Sequence, residues 1–147
     1  MRIYMDSCCY NRPFDDQCQD RIRIESEVIL TILSKCEEQL WTLLGSDILL
    51  HELSNIPNIE RKRKTFIVCG LIKEFCDSNN FIRLRAKDFE AAGIKPLDSL
   101  HLASAEYMNA DVLLTVDDNF IRASYKAGAK IKAENPVNWL MEVMKNG

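Results

Sequence analysis

Short apolar runs alternate along this chain with longer segments whose apolar residues recur every three or four positions. That alternation leaves few folds open, because strand followed by helix, repeated, implies a parallel sheet covered on both faces. Arg2-Ile3-Tyr4-Met5 reads as a strand ending at Asp6, and a polar turn with Asn11, Pro13 and Asp15-Asp16 follows. Ile22 to Leu40 has helical periodicity, Leu40 to Leu44 reads as a second strand closed by Gly45 and Ser46, and Ser46-Asp47 offers a helix N-cap. A long helix is expected from about Ile59 to Cys76, and a third strand over Phe81-Ile82-Arg83-Leu84. A short helical stretch at Lys87–Ala92 stops at Gly93, and Pro96 opens a helix from Leu97 to Met108. Ala110 to Thr115 is a fourth strand, Asp117 to Lys126 a helix, and Lys130-Ile131-Lys132 a weak fifth strand. Asn135-Pro136 introduces a last helix, Val137 to Met144. A three-layer α/β/α sandwich accounts for the whole chain, with residues 1–147 as one domain.

Composition narrows the function. Forty-seven per cent hydrophobic residues suffice for a sizeable core, and the net charge of -3 argues against a protein that coats nucleic acid electrostatically. An enzyme that grips nucleic acid through one local patch and a bound cation remains open. No apolar run approaches the roughly 20 residues that span a bilayer, and the first residues lack a signal-peptide core, so a cytoplasmic protein with no membrane partner is expected. The six cysteines show neither a C-x-x-C pair nor zinc-like spacing with His51 or His101. They read as reduced thiols used as small apolar side chains.

The acids carry the chemistry. Asp6 ends the first strand, Asp117 follows the fourth, Asp98 lies in the first turn of its helix, and Glu52 lies on the helix after strand two. Ligands of open parallel sheets bind beyond the carboxyl ends of the strands. If strands one and four are neighbours, Asp6 and Asp117 come within reach of a single cation, and hard oxygen ligands select Mg²⁺ or Mn²⁺. Singly, each acid also reads as a turn residue, a helix start or a solvated face. Periodicity alone does not supply the strand order that would join them.

The motifs themselves resemble a known family. Asp6-Ser7-Cys8-Cys9-Tyr10, Leu97-Asp98-Ser99-Leu100-His101-Leu102-Ala103 and Leu113-Leu114-Thr115-Val116-Asp117 are similar to the motifs of PIN domains, and Ser46 through Glu52-Leu53 to the family's second acidic motif. The run Tyr10 to Gln17 resembles a bacterial and archaeal branch, and Asn135-Pro136 the exit of strand five. The resemblance implies a five-stranded parallel sheet of order 3-2-1-4-5 and cleavage of RNA with Mg²⁺ or Mn²⁺. It also implies frequent homodimers and, for the many members that resemble the toxin VapC, an antitoxin partner. Asp6, Glu52, Asp98 and Asp117 are carried over as catalytic metal ligands, with Thr115 and Ser7 in support. One position departs: many relatives place Asn where this chain has Cys8, and a thiol is a poor substitute for an amide.

Arg12, in the loop after strand one, and His101, on the helical face of Asp98, are candidates for touching RNA; His101 could instead orient a carboxylate. A partly buried helix histidine is the plainer reading of His101, and a solvated face that of Arg61-Lys62-Arg63-Lys64. Trp139 and the Val137–Met144 stripe read as core or dimer contacts. Two other classes compete with the nuclease. A non-catalytic PIN-fold interaction module is disfavoured by the intact acids, and a receiver-type phosphoacceptor is disfavoured by the motif spacing around Lys130 and Lys132.

Overall fold

The computed structural model describes residues 1–147. Five strands, β1 (Arg2–Met5), β2 (Thr42–Ser46), β3 (Glu74–Cys76), β4 (Val112–Leu114) and β5 (Lys132–Glu134), form one all-parallel sheet of order β3-β2-β1-β4-β5. This is the expected 3-2-1-4-5, and it differs from the flavodoxin-like order 2-1-3-4-5 of receiver domains. Between the strands run α1 (Ser7–Asn11), α2 (Asp20–Glu37), α3 (Asp47–Ser54), α4 (Ile59–Val68), α5 (Asn80–Ala91), α6 (Pro96–Tyr107) and α7 (Asp118–Lys126), and α8 (Pro136–Asn146) closes the chain.

Strand pleating divides the interior in two. Ile3, Met5, Leu43, Val112 and Leu114 point into one core, against Ile29 and Ile32 of α2, Leu49 and Leu53 of α3 and Trp139 of α8. Tyr4, Leu44 and Leu113 point into the other, against Ile82 and Phe89 of α5, Leu102 of α6 and Phe120 of α7. The central strands are apolar on both faces, as buried parallel strands must be.

Helix starts are capped where short polar residues precede an apolar pattern. Ser46 Oγ accepts from Leu49 N–H, Asn58 Oδ1 from Arg61 N–H, and Asn79 Oδ1 from Ile82 N–H. The last of these caps starts a helix where a strand is expected. Phe81–Leu84 is no strand: it opens α5, where Ile82, Ala86 and Phe89 bury at helical spacing while Phe81 and Leu84 face solvent. The third strand is instead Glu74–Cys76, inside the segment expected to be helical; α4 stops at Val68 and a 3-10 turn, Cys69–Leu71, leads to the edge strand. An edge strand with exposed Phe75, and with Glu74 paired to Arg2, shows little apolar alternation.

The remaining differences are smaller. The turn after Asp6 contains α1, because Asp6 accepts from Ser7 N–H and starts a helical turn. Strand two runs through Gly45 rather than ending there, and a Cβ at that position would come 2.6 Å from Ile72 Cδ1. Helix α2 begins two residues before Ile22 and ends at Glu37, and β5 lies two residues beyond Lys130.

Candidate active site

The carboxyl ends of β1, β2 and β4 converge on one rim. Since Met5 pairs with Leu114, the next residues, Asp6 and Thr115, lie side by side, and the Asp6 N–H donates to Leu114 O at 2.9 Å. Thr115 Oγ1 donates to Asp6 Oδ2 at 3.0 Å and Ser7 N–H donates to Asp6 Oδ1 at 2.7 Å, which fixes a carboxylate that is almost fully buried. Cys8 extends the same network. Its Sγ donates to Asp6 Oδ2 at 3.4 Å, accepts from Val116 N–H at 3.4 Å, and lies 3.3 Å from Thr115 Oγ1.

Glu52 comes from α3, six residues beyond the Ser46 cap. Ser7 Oγ donates to Glu52 Oε2 at 3.0 Å, and His101 Nε2 forms a close contact with Glu52 Oε1. The same Nε2 is 3.7 Å from Asp6 Oδ1, so Asp6, Glu52 and His101 each place one potential ligand atom within 4.8 Å of the other two. His101 is wholly buried on α6, and its Nδ1 lies 2.7 Å from Tyr4 Oη. It is part of the acidic cluster, not a peripheral helix residue. The signal was present in the sequence as its i, i+3 spacing from Asp98.

Asp98 and Asp117 stand at the starts of two more helices, outside the cluster of ligand atoms formed by Asp6, Glu52 and His101. Asp98 follows Pro96 in the first turn of α6 and is half-buried. Burial pushes its carboxyl up to about 6, and the charges of Asp6, Asp117 and Glu52 push the same way against the opposing pull of His101. Asp117 caps α7: its Oδ1 accepts from Asn119 N–H at 2.9 Å and Phe120 N–H at 3.2 Å. Arg21 brackets that cap, donating to Val116 O at 3.3 Å and to both Asp118 oxygens at 2.9 Å.

The electrostatics are those of an under-compensated acidic centre. Among the four acids, ion-pair partners are limited to His101, which meets Asp6 and Glu52; no Lys or Arg joins them. Burial pushes Glu52 up, but the hydrogen bond and positive charge of His101, then Ser7, outweigh it and hold Glu52 below the usual carboxylate range. For His101 burial favours the neutral form, yet the bond to Glu52 and the charges of Asp6, Glu52 and Asp98 raise it above its ordinary value. Carboxylate oxygens with this much unrelieved negative charge suit a hard divalent cation.

Arg12 stands outside the cluster. Its guanidinium donates to Asp15 Oδ2 at 3.2 Å, and its Nε lies 3.2 Å from Oε1 of buried Glu25, close but without hydrogen-bond alignment. Arg61 is likewise engaged, with Asp15 at 2.7 Å.

The protein-family profile of the PIN domain matches residues 11–125. The chain belongs to the PIN-domain family. The matched span contains Glu52, Asp98, His101 and Asp117, and Asp6 lies just ahead of it. Two solved structures share the PIN fold seen here. VapBC2 from Rickettsia felis, bound to a DNA fragment from its promoter, matches with a TM-score of 0.58 and 16% identity over 92% of this chain and 98% of that one. VapBC-1 from nontypeable Haemophilus influenzae matches with a TM-score of 0.59 and 17% identity over 93% of this chain and 99% of that one. No curated protein sequence matches the chain. Membership of the PIN family supports a nuclease in general terms, and no helix is long and apolar enough to cross a membrane.

Proposed function

We propose that this PIN-domain protein is a cytoplasmic endoribonuclease of the toxin type, residues 1–147 forming one domain that hydrolyses RNA phosphodiester bonds with Mg²⁺ or Mn²⁺. The observation that carries the reading is the convergence of Asp6, Glu52, Asp98 and Asp117 on one rim of a PIN sheet with no Lys or Arg to neutralise them. A divalent cation bound there would activate water for in-line attack and stabilise the leaving oxygen.

The chain's own residues prepare that centre. Thr115, Ser7 and Cys8 orient Asp6, while Ser7 and His101 orient Glu52. Asp117 keeps one oxygen on the α7 amides. Asp98 is held in the first turn of α6. Arg12 is a candidate for the RNA backbone if it exchanges its partners Asp15 and Glu25 for phosphate, a contact that would depend on salt. The likeness to VapBC proteins supports an antitoxin partner; a homodimer is proposed from the motif resemblance alone.

The test is an assay of end-labelled RNA with purified protein in Mn²⁺ and in EDTA. Cleavage confined to the Mn²⁺ arm and lost in Asp6→Asn is expected. A folded chain that leaves a panel of single-stranded and structured RNAs intact in Mn²⁺ would refute the proposal and favour the interaction module.

A further inference from the structure

His101 is close enough to Asp6 and Glu52 to count as a third metal ligand. A ligating imidazole must present a bare nitrogen lone pair, so the position of its proton decides the role. Hydrogens can be placed by satisfying every buried donor in turn.

Ser46 heads a chain of buried hydroxyls that ends on His101. The Ser46 Oγ accepts the Leu49 N–H at 3.2 Å, and its own proton needs an acceptor because the residue is fully buried. The remaining polar neighbour is Tyr4 Oη at 2.6 Å. If Ser46 donates to Tyr4, the Tyr4 hydroxyl donates onward to His101 Nδ1 at 2.7 Å. Nδ1 then carries no proton and Nε2 must carry one. Nε2 faces Glu52 Oε1 and, at 3.7 Å, Asp6 Oδ1, both pure acceptors when ionised. A second proton on the ring would reverse the Tyr4 hydroxyl and leave the Ser46 proton without an acceptor, but Nε2 would still donate to Glu52. In either form Nε2 is a donor.

We infer that His101 is a positioning residue and not a metal ligand: buried hydroxyls of Ser46 and Tyr4 fix its tautomer so that Nε2–H is donated to Glu52. The relay starts and ends on α3, from its N-cap Ser46 to its carboxylate Glu52, and passes through β1 and α6 on the way. It thereby ties the helix bearing Glu52 to the strand that ends at Asp6 and to the helix that bears Asp98. The role given to Glu52 rests on the proposed metal centre; the tautomer does not.

Two measurements test this. Long-range ¹H–¹⁵N spectra of ¹⁵N-histidine-labelled protein, with exposed His51 assigned by substitution, report which ring nitrogen of His101 is protonated. Nε2 should be protonated in metal-free protein and stay so when Mg²⁺ is added; an Nε2 that is bare, or becomes bare with Mg²⁺, overturns the inference. Calorimetric Mg²⁺ titrations then compare wild type with Tyr4→Phe, which should bind about 10- to 100-fold more weakly, as loss of a group that orients a ligand usually does. His101→Gln, which keeps an N–H donor, should bind Mg²⁺ more tightly than His101→Leu. If Tyr4→Phe does not fold, the ring spectrum and the His101→Gln and His101→Leu comparison carry the test. A folded relay variant with wild-type Mg²⁺ affinity also overturns the inference. RNA cleavage enters neither readout, so a protein that passes both and cleaves no RNA would sink the ribonuclease reading alone.

Discussion

Replacing Asp98 by Asn removes one charge from a rim where no Lys or Arg pairs with the four acids and buried His101 meets only Asp6 and Glu52. In the folded chain the Asp98 carboxyl is pushed up to about 6, against an ordinary value of 3.8. The folded form therefore holds the proton more tightly than the unfolded one. The stability this lends is fully present below about pH 4 and is lost as pH rises through about 6. A gap of roughly two pH units at about 1.36 kcal/mol each sets a ceiling near 3 kcal/mol. Asp98 is only half-buried, and solvent screening reduces that to roughly 1–2 kcal/mol.

One effect opposes the gain. A carboxylate in the first turn of α6 favours the helix dipole by about 0.3–1 kcal/mol, and Asn gives that up. In EDTA near pH 7.5 the variant should therefore be more stable by about 1 kcal/mol, a rise of roughly 2–4 °C in Tm for a chain of this size. Near pH 4.5 most of the advantage should vanish. Millimolar Mn²⁺ should raise the Tm of wild type, since a ligand that binds only the folded state stabilises it by mass action, and should raise the variant's much less. Thermal melts of both proteins in EDTA at the two pH values, and in Mn²⁺ at the higher one, decide the matter. A variant that melts below wild type in EDTA near pH 7.5, yet gains as much from Mn²⁺, would make Asp98 a helix-start residue and no part of a metal centre.

Three further outcomes are expected. Asp6→Asn, Asp98→Asn and Asp117→Asn should each abolish RNA cleavage, with double variants scarcely worse, because groups acting as one unit are not additive; two single variants with near wild-type rates would break the assignment. All six cysteines should be reduced, with exposed Cys18 alkylated first and Cys9 and Cys36 last, since burial pushes both thiols up, Cys36 to about 11; mass spectrometry showing a stable disulfide would refute this. Arg21→Gln should weaken Mn²⁺ binding by up to about tenfold through loosening of the Val116–Asp118 segment around Asp117, and an unchanged calorimetric Kd would limit Arg21 to surface pairing.

The elements legible from the sequence are those whose burial is one-sided and continuous. β1, β4 and α6 fall where the apolar patterns put them, because each lies against the middle of the sheet. The edge strands obey weaker rules. β3 has two exposed residues of three, and β5 buries only Ala133, so neither presents enough apolar surface to mark its bounds. Phe81 and Leu84 misled for the opposite reason: they are large apolar residues on the solvent face of α5, and only the Asn79 cap and the burial of Ile82, Ala86 and Phe89 reveal the helix. The strand order came from the motif resemblance, since hydrophobic periodicity carries no information on which parallel strands are neighbours.

The site was legible to a different depth at each residue. Acids at strand ends and in first helical turns announce themselves by position; the observed sheet gathers Asp6 and Glu52 with His101, and leaves Asp98 and Asp117 outside that cluster but within reach of its charge. What surrounds them does not. Tyr4 reads as an apolar strand residue and Ser46 as a helix cap, and each is that; their hydroxyls acquire a second role only because β1 and β2 are neighbours and α6 brings His101 against Tyr4. Cys8 shows the limit from the other side. Substituting a thiol for the usual amide looks damaging on paper, yet its Sγ sits among Asp6 Oδ2, Thr115 Oγ1 and Val116 N–H and meets one donor and one acceptor in turn. Thr115 Oγ1 and Ser7 N–H already supply the stronger bonds to Asp6, so the weaker thiol bond is a third support and not the first. The support of Asp6 is thus shared among three partners, of which Cys8 is the weakest.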